Sequence, residues 1–196
     1  MDAANPDNAA DAADAADATN ATKPLARLDA EFTRVRATLA LGITQALDIT
    51  QALDNVAADA GHNPGDFLPW RRCCFRLQQA MEAAVGPLRA QARAVLQAQA
   101  AQHPHLARLA SLSAMDAALA AVLAPHEQAQ LALMPVLLEK HFLRQNAAPA
   151  AFRHDMQRLL QAELELRLQP ALGLLDALRA AHTGAAHTRA ADTGAA

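Results

Sequence analysis

The sequence predicts an all-α protein, a bundle of about five long helices interrupted by prolines. Ala, Leu, Gln and Arg are abundant, and these residues favour helices. Aromatic residues make up only 3% of the chain and Tyr is absent, so little material favours strands. Apolar residues also recur at alternating spacings of three and four, which is typical of helices that pack along coiled-coil-like heptad seams.

The chain divides into a helical domain and two tails. Residues 1–22 carry five Asp and no Lys or Arg, and residues 181–196 repeat a five-residue Ala/Thr-rich unit. Both compositions predict disordered tails, so the helical domain is expected at residues 23–180. Without those five aspartates, the 20 acidic residues of the chain fall to 15, against 17 Lys and Arg. This near-neutral balance is not typical of nucleic-acid-binding proteins.

The first helix is predicted from Leu25 to Asp59, with Pro24 at its entry. The hexapeptide ITQALD occurs twice within it, at residues 43–48 and 49–54. Six residues are not a whole number of turns, so the two copies cannot present the same face. We expect the second copy to lie in the seam and the first beside it. The predicted seam comprises Leu25, Leu28, Phe32, Val35, Leu39, Gly42, Ala46, Ile49, Leu53 and Val56.

The second helix begins near Phe67, after a Gly- and Pro-rich turn at residues 61–66 in which Asp66 can cap the helix. Cys73 and Cys74 are neighbours on a helix and cannot form an ordinary disulfide, which favours a reducing compartment. We expect Cys74 to pack as a small apolar group with Cys73 beside it. Pro87 either kinks this helix or starts a new one. The predicted seam comprises Phe67, Trp70, Cys74, Leu77, Met81, Ala84, Leu88 and Val95, with a polar lapse at Gln91.

Five arginines of this helix are the candidate partner-binding residues. Their helical spacing is also that of a solvated or salt-bridged face. No aromatic residues interleave with them as a stacking platform, so nucleic acid is not the expected partner. The five are Arg71, Arg72, Arg76, Arg89 and Arg93.

Three further helices follow, and a polar turn at His103-Pro104-His105 introduces them. The third should bury Leu106, Leu109, Leu112, Met115, Leu119 and Val122 or Leu123. Pro125 is expected in the first turn of a fourth helix, which contains Pro135 and buries Leu131, Met134, Leu138 and Phe142. After a turn at residues 145–149, the last helix should bury Phe152, Met156, Leu160, Leu164 and Leu168, with its stripe extended by Leu159, Leu172, Leu175 and Leu178. Pro170 kinks or restarts it.

No catalytic motif, cofactor motif or metal-ligand set occurs in the sequence. The histidines are scattered singly apart from the His-Pro-His turn. Asp155, Glu163 and Glu165 offer carboxylates that could pair with the arginines of the second helix. The N-terminus lacks the features of a signal peptide, and no run of about 18 apolar residues occurs, so we expect a cytoplasmic protein without a transmembrane segment.

The chain resembles the bacterial domain of unknown function 3348. The family pattern reads Phe-x-Pro-x-Arg-Arg, then Gln-x-Ala-Met-Glu, then a hydrophobic residue followed by x-Pro-Leu-Arg. Similar positions here are Phe67, Pro69, Arg71, Arg72, Gln78 or Gln79, Ala80, Met81, Glu82, Pro87, Leu88 and Arg89. Residues 31–40, 131–142 and 155–178 also look similar. The chain departs from the pattern at Cys73-Cys74, and its Asp-Ala tail stands in place of the family's sequence before Leu25.

The resemblance implies a proteobacterial protein of unknown activity, whose gene lies near genes for motor-stator and OmpA-like membrane proteins. It supplies no catalytic residue. We therefore expect a non-enzymatic interaction or accessory protein that binds a protein partner beside an envelope complex, and homo-oligomerisation is a further option. The alternative is a helical enzyme or ligand-binding domain with a pocket near the proline breaks.

Overall fold

The residues that the structure describes form five α-helices, and the prediction of an all-α bundle is confirmed. The computed structural model describes the backbone of residues 6–59, 66–144 and 149–193, and the side chains of residues 22–56, 66–144 and 150–184. The helices are α1 (Pro6–Asp59), α2 (Leu68–Gln102), α3 (Ala107–Leu131), α4 (Met134–Arg144) and α5 (Pro149–Thr193), and a 3-10 turn at Pro104–Leu106 joins α2 to α3. No strand occurs in these ranges.

Helices α1, α2 and α5 pack against one another and form the body of the bundle. Arg153 of α5 pairs with Asp48 of α1, whereas Arg179 pairs with Asp29, so α1 and α5 run antiparallel. Gln78 of α2 donates to Glu163 of α5, and Arg167 of α5 donates to Glu82 of α2. Because these two contacts advance along both helices in the same direction, α2 and α5 run parallel. Helix α3 packs on α2 and, over a smaller area, on α5.

Aromatic residues close one end of the bundle. Trp70 and Phe152 meet edge to face with ring centroids 5.3 Å apart, and Phe142 meets Phe152 at 4.9 Å. Phe67 lies 5.7 Å from Phe142. Trp70, which belongs to the predicted α2 seam, is fully buried as expected.

Of the later members of the predicted α1 seam, Gly42 and Ala46 are half-buried, and full agreement with the buried face ends at Leu39. Beyond it, Ile43, Leu47 and Thr50 are buried, whereas Ile49 and Leu53 of the second ITQALD copy are 61% and 62% exposed. The expectation that the second copy lies in the seam is therefore wrong. The buried Leu47 lies beside one stripe of buried or half-buried positions that follows spacings of four, three and four: Leu28, Phe32, Val35, Leu39, Ile43, Ala46 and Thr50. This pattern repeats after 11 residues, which is close to three turns of an α-helix. A strict heptad repeat would instead require the helix to supercoil.

Helix α2 buries its residues with the same 11-residue repeat. Met81 and Ala92 follow Trp70 at that interval, and Val85 and Leu96 follow Cys74. Gln91, the polar residue within the predicted seam, is exposed, and the neighbouring Ala92 is buried in its place. Both cysteines are buried and unpaired, as expected.

The prolines interrupt the helices less than predicted. Pro24 lies inside α1 and not at its entry, and α2 and α5 continue through Pro87 and Pro170. Pro125 lies inside α3, so the predicted fourth-helix start there is wrong. The carbonyl of Ala121, one turn earlier, lies in an exposed stretch where water can hydrogen-bond to it.

Some predicted turns and tails lie at the edge of the described residues. Those at residues 61–66 and 145–149 fall mostly outside them, although the Asp66 carboxylate accepts a hydrogen bond of 2.9 Å from the Leu68 N–H, as expected of a cap. Helices α1 and α5 extend into both predicted tails, whose disorder in solution stays a prediction.

The last helix matches its prediction best, and the third matches least. All five main α5 positions from Phe152 to Leu168 are buried, although Leu159 is 39% exposed. In α3, Leu109 is buried and Leu112 is half-buried, but the expected burial of the apolar residues from Met115 onward is wrong. Met115, Leu119, Val122 and Leu123 are 45–74% exposed. The segment Pro104–Arg144 is long and apolar enough, by length and composition, to cross a membrane. The most apolar stretch of this segment has a mean hydropathy of 1.6, and 22% of that stretch is buried.

Candidate partner-binding surface

The five candidate arginines of α2 separate into groups with different surroundings. Arg89 and Arg93 both bind Asp116 of α3: the Arg89 Nε and Nη2 atoms donate to its carboxylate at 2.9 and 2.6 Å, and Arg93 Nη1 donates at 3.1 Å. These three side chains are only 12–25% exposed. Arg89, Arg93 and Asp116 thus form an ion cluster that holds α3 against α2.

The electrostatics of Asp116 agree with this structural role. Burial by itself raises the pKa of the carboxyl group, but the hydrogen bonds and charges of Arg89 and Arg93 outweigh burial. The pKa of Asp116 therefore lies below its ordinary value, and the group stays ionised at neutral pH.

Arg71 has a structural contact as well. Its guanidinium pairs with Glu139 of α4 and lies 5.8 Å from the centroid of the Phe67 ring. Both partners of the ion pair are 37–47% exposed, so the contribution of this pair to stability is small.

Arg72 and Arg76 lie exposed and one turn apart on α2. Neither forms a hydrogen bond or ion pair with any residue that the structure describes. Both line an open groove of about 440 Å³ between α1 and α2, together with Thr50, Leu53, Pro69 and Phe75. Among the predicted candidates, these two are the ones available to another molecule.

The groove continues along α1. A second section of about 340 Å³ shares Arg76 and is lined also by Gly42, Gln45, Ala46, Ile49 and Leu77. From Leu53 to Gly42 the floor extends about 16 Å at the rise of an α-helix, which is three turns. Three apolar side chains along it are largely exposed: Ile49 at 61%, Leu53 at 62% and Phe75 at 57%. We call this the α1–α2 groove.

The acidic residues of α5 have partners other than the α2 arginines. Glu163 is buried and binds Arg167 of its own helix at 2.9 Å, and Gln78 of α2 donates to it at 3.3 Å. Glu165 instead pairs with Arg36 of α1 at 2.8 Å. This second pair spans a larger groove of about 660 Å³ between α1 and α5.

Asp155 also binds outside α2. Its carboxylate lies 2.9 Å from Nε2 of His141 on α4. The three carboxylates that the sequence offered to the α2 arginines thus bind other side chains, on α1, α4 and α5 and, for Glu163, also Gln78 of α2.

The described residues contain no cluster of three or more His, Cys, Asp or Glu side chains arranged to hold a metal ion. Burial, followed by the negative charge of Glu163, raises the pKa of the Cys74 thiol to about 12. A thiol with this pKa is protonated and unreactive at neutral pH. The pair of cysteines therefore packs as apolar groups in the core.

The sequence predicts Arg72 and Arg76 as candidates but not the apolar side chains beside them. Heptad spacing places Ile49 and Leu53 in the seam, because a heptad and an 11-residue repeat coincide over the first turns. Phe75 carried a usable signal, since it falls outside the predicted seam of its helix and is large. The triad of Arg89, Arg93 and Asp116 had no signal, because 23 residues or more separate its α3 member from the arginines.

Comparison with curated proteins and with solved structures gives no match. Comparison with protein families gives a match that covers most of the chain. The family described as "Protein of unknown function (DUF3348)" matches residues 1–151 and 144–180. The match begins at the first residue, so it includes the Asp-Ala segment that had looked like a departure from the family. This protein therefore belongs to the DUF3348 family.

Proposed function

We propose that the protein is a non-enzymatic helical interaction or accessory protein, and that its α1–α2 groove binds an amphipathic helix of a protein partner. The observation that carries the proposal is the combination of exposed Ile49, Leu53 and Phe75 with Arg72 and Arg76, which bind no residue that the structure describes. Exposed apolar patches with a polar rim are typical of protein-binding surfaces.

The shape and charge of the groove define the partner. Its length suits about three turns of a helix, whose apolar side chains would contact Leu53, Phe75 and Ile49. Arg72 and Arg76 on the rim favour a partner helix with Asp or Glu beside its apolar face. We propose an acidic amphipathic helix, within a cytoplasmic segment of an envelope protein of the motor-stator or OmpA-like kind.

The two kinds of contact should contribute differently. A central aromatic residue carries much of the binding energy of an interface, so Phe75→Ala should weaken binding at least about 30-fold. Exposed charges on a rim contribute about 0.2–1 kcal/mol each, and they act on the association rate and its salt dependence. Reversing the charge of Arg72 and Arg76 should therefore slow association most strongly at low salt.

The alternative of an enclosed pocket near the proline breaks receives no specific support. The three grooves described above are open, and none is lined by Pro87, Pro135 or Pro170.

The test is photo-crosslinking in the native host, with a benzophenone amino acid in place of Phe75. We expect a crosslinked envelope protein whose yield falls when Arg72 and Arg76 are both changed to Glu. The matched control carries the same crosslinker at Leu166, which is 71% exposed on α5 and outside the groove. Equal crosslinking from both positions, or no crosslinked protein from position 75, would contradict the proposal.

A further inference from the structure

The second half of α3 leaves the surface of the bundle. Asp116 is held against α2 at Arg89, and Met134 lies against α2 again at Gln78, where Gln78 Nε2 is 3.5 Å from its sulfur. From Asp116 the helix continues to Leu131 and rises about 22 Å before the turn that leads to Met134, whereas the 11 residues of α2 between the two contacts rise only about 16 Å. The longer path cannot follow α2, so Ala117–Leu131 forms an arm that bends outward. Residues 121–130 are accordingly all exposed.

The arm and the residues around it are strongly apolar. No Lys or Arg occurs between Arg108 and Lys140, and the arm itself contains one acidic residue, Glu127. Monomeric proteins rarely expose contiguous apolar patches larger than a few hundred Å². The largely exposed apolar side chains are Met115, Leu119, Val122, Leu123, Leu133, Val136 and Leu137.

We propose that the arm binds the same arm of a second copy of this chain and forms a homodimer. Seven largely exposed apolar side chains lie from Met115 to Leu137, and a second copy offers the same seven to an interface, whose standard size is roughly 800 Å² per partner. Two arms related by a two-fold axis near Val122, the most exposed of these residues at 74%, would bury one another's apolar side chains.

The chemistry of the arm favours a second copy over a lipid surface. Helices that lie on membranes carry Lys or Arg on a polar face, and the arm has neither. A membrane crossing by Pro104–Arg144 would break the bonds of Asp116 to Arg89 and Arg93. It would also pull Leu138 and Phe142, which are 4% and 1% exposed, out of the core.

The charge of the arm also distinguishes it from the α1–α2 groove. The groove presents two cations that select an acidic partner, whereas the arm offers a single carboxylate. A surface with so little charge is best complemented by another surface of the same composition. The dimer is independent of the proposed function of the groove, since the two surfaces share no residue.

The test is sedimentation velocity of the full chain over a range of concentrations. We expect wild-type protein at twice the chain mass of 20.7 kDa. Leu119→Glu with Val122→Glu should weaken dimerisation at least about 30-fold, because each change acts on both copies. Val122→Glu alone provides a second, milder variant if the double variant is poorly folded by circular dichroism. The control Leu166→Glu, at an equally exposed position of α5, should remain dimeric.

Three outcomes would overturn the proposal. One is wild-type protein that stays monomeric at every concentration, which would indicate that the arm binds a different protein. Another is a dimer that persists in the folded Val122→Glu variant, which places the interface elsewhere. The third is a wild-type monomer that floats with vesicles of phosphatidylcholine and phosphatidylglycerol and loses flotation in the same variant, which assigns the arm to lipid.

Discussion

The duplicated ITQALD hexapeptide provides an internal experiment on how α1 packs. Leu47 and Leu53 occupy the same position in the two copies, so their immediate sequence neighbours are nearly identical. Leu47 is fully buried, whereas Leu53 is 62% exposed. Changing each to Ala removes the same atoms from two different environments, and the difference between the results reports burial alone.

The magnitudes follow from those environments. Leu47→Ala should lower the free energy of unfolding by about 2–5 kcal/mol, since it removes transfer free energy and leaves a cavity. Leu53→Ala should change it by less than about 0.5 kcal/mol, because the side chain already contacts water and Ala favours the helix. With a urea slope of about 2 kcal/mol/M, the first change should lower the unfolding midpoint by about 1–2.5 M.

Urea unfolding followed by far-UV circular dichroism measures both variants under the same conditions. An unchanged slope for both is the control that they unfold in the same cooperative transition. Equal losses, or a larger loss at Leu53, would contradict the burial of Leu47 and the exposure of Leu53, and would restore Leu53 to the predicted heptad seam.

Two further predictions concern buried groups. Asp116→Asn should cost about 1.5–3 kcal/mol at pH 7, since hydrogen bonds to charged groups contribute that much and two cations lose their carboxylate. The folded pKa of Asp116 is lowered, so its contribution is present above the unfolded value of about 3.9 and is lost as pH falls through the folded value. The difference in the free energy of unfolding between wild type and Asp116→Asn, measured by urea titration, should therefore become smaller in strong acid. A difference that does not depend on pH would contradict the ion cluster. Asp176→Asn, in an exposed pair with Arg179, is the control and should have little effect. Separately, Cys73 and Cys74 should react with a thiol reagent at neutral pH only after unfolding, because both are buried and the pKa of Cys74 is raised to about 12; rapid labelling of the native protein would show that this part of the core opens.

The fold class and the buried face of α5 could be predicted because they depend on local composition and spacing. The phase of the buried face in α1 beyond Leu39 could not, whereas every residue of the predicted α2 seam is buried or half-buried. Over the first 11 residues, a heptad repeat and an 11-residue repeat place apolar residues at the same positions, with spacings of four, three and four. After the eleventh residue, the positions that the two repeats predict differ by one residue. Ala and Gln at many positions gave no strong apolar signal with which to separate them, and in α1 the duplication placed Ile and Leu on both faces.

The partners of the arginines depend on the register between helices, which the sequence of a single helix does not encode. Arg76 and Arg89 look alike in the sequence, yet Arg89 lies opposite Asp116 whereas Arg76 lies beside an apolar groove. The outward path of the arm has the same origin. It results from a mismatch in length between α2 and the α3–α4 segment, and this mismatch becomes visible only once both contact points are known.

The two proposed surfaces lie on different sides of the bundle, and this has a consequence for binding. Helices α1 and α3 each pack on both α2 and α5, and hardly on one another in the described part of the chain, so they flank the α2–α5 pair from opposite sides. Dimerisation through the arm would therefore leave both α1–α2 grooves open and make the protein bivalent. Two linked sites can increase avidity about 10²–10⁴-fold toward a partner that is itself repeated or clustered. Val122→Glu should then reduce avidity for such a partner without changing the affinity of a single groove, whereas Phe75→Ala should reduce the affinity of each groove and leave the dimer intact.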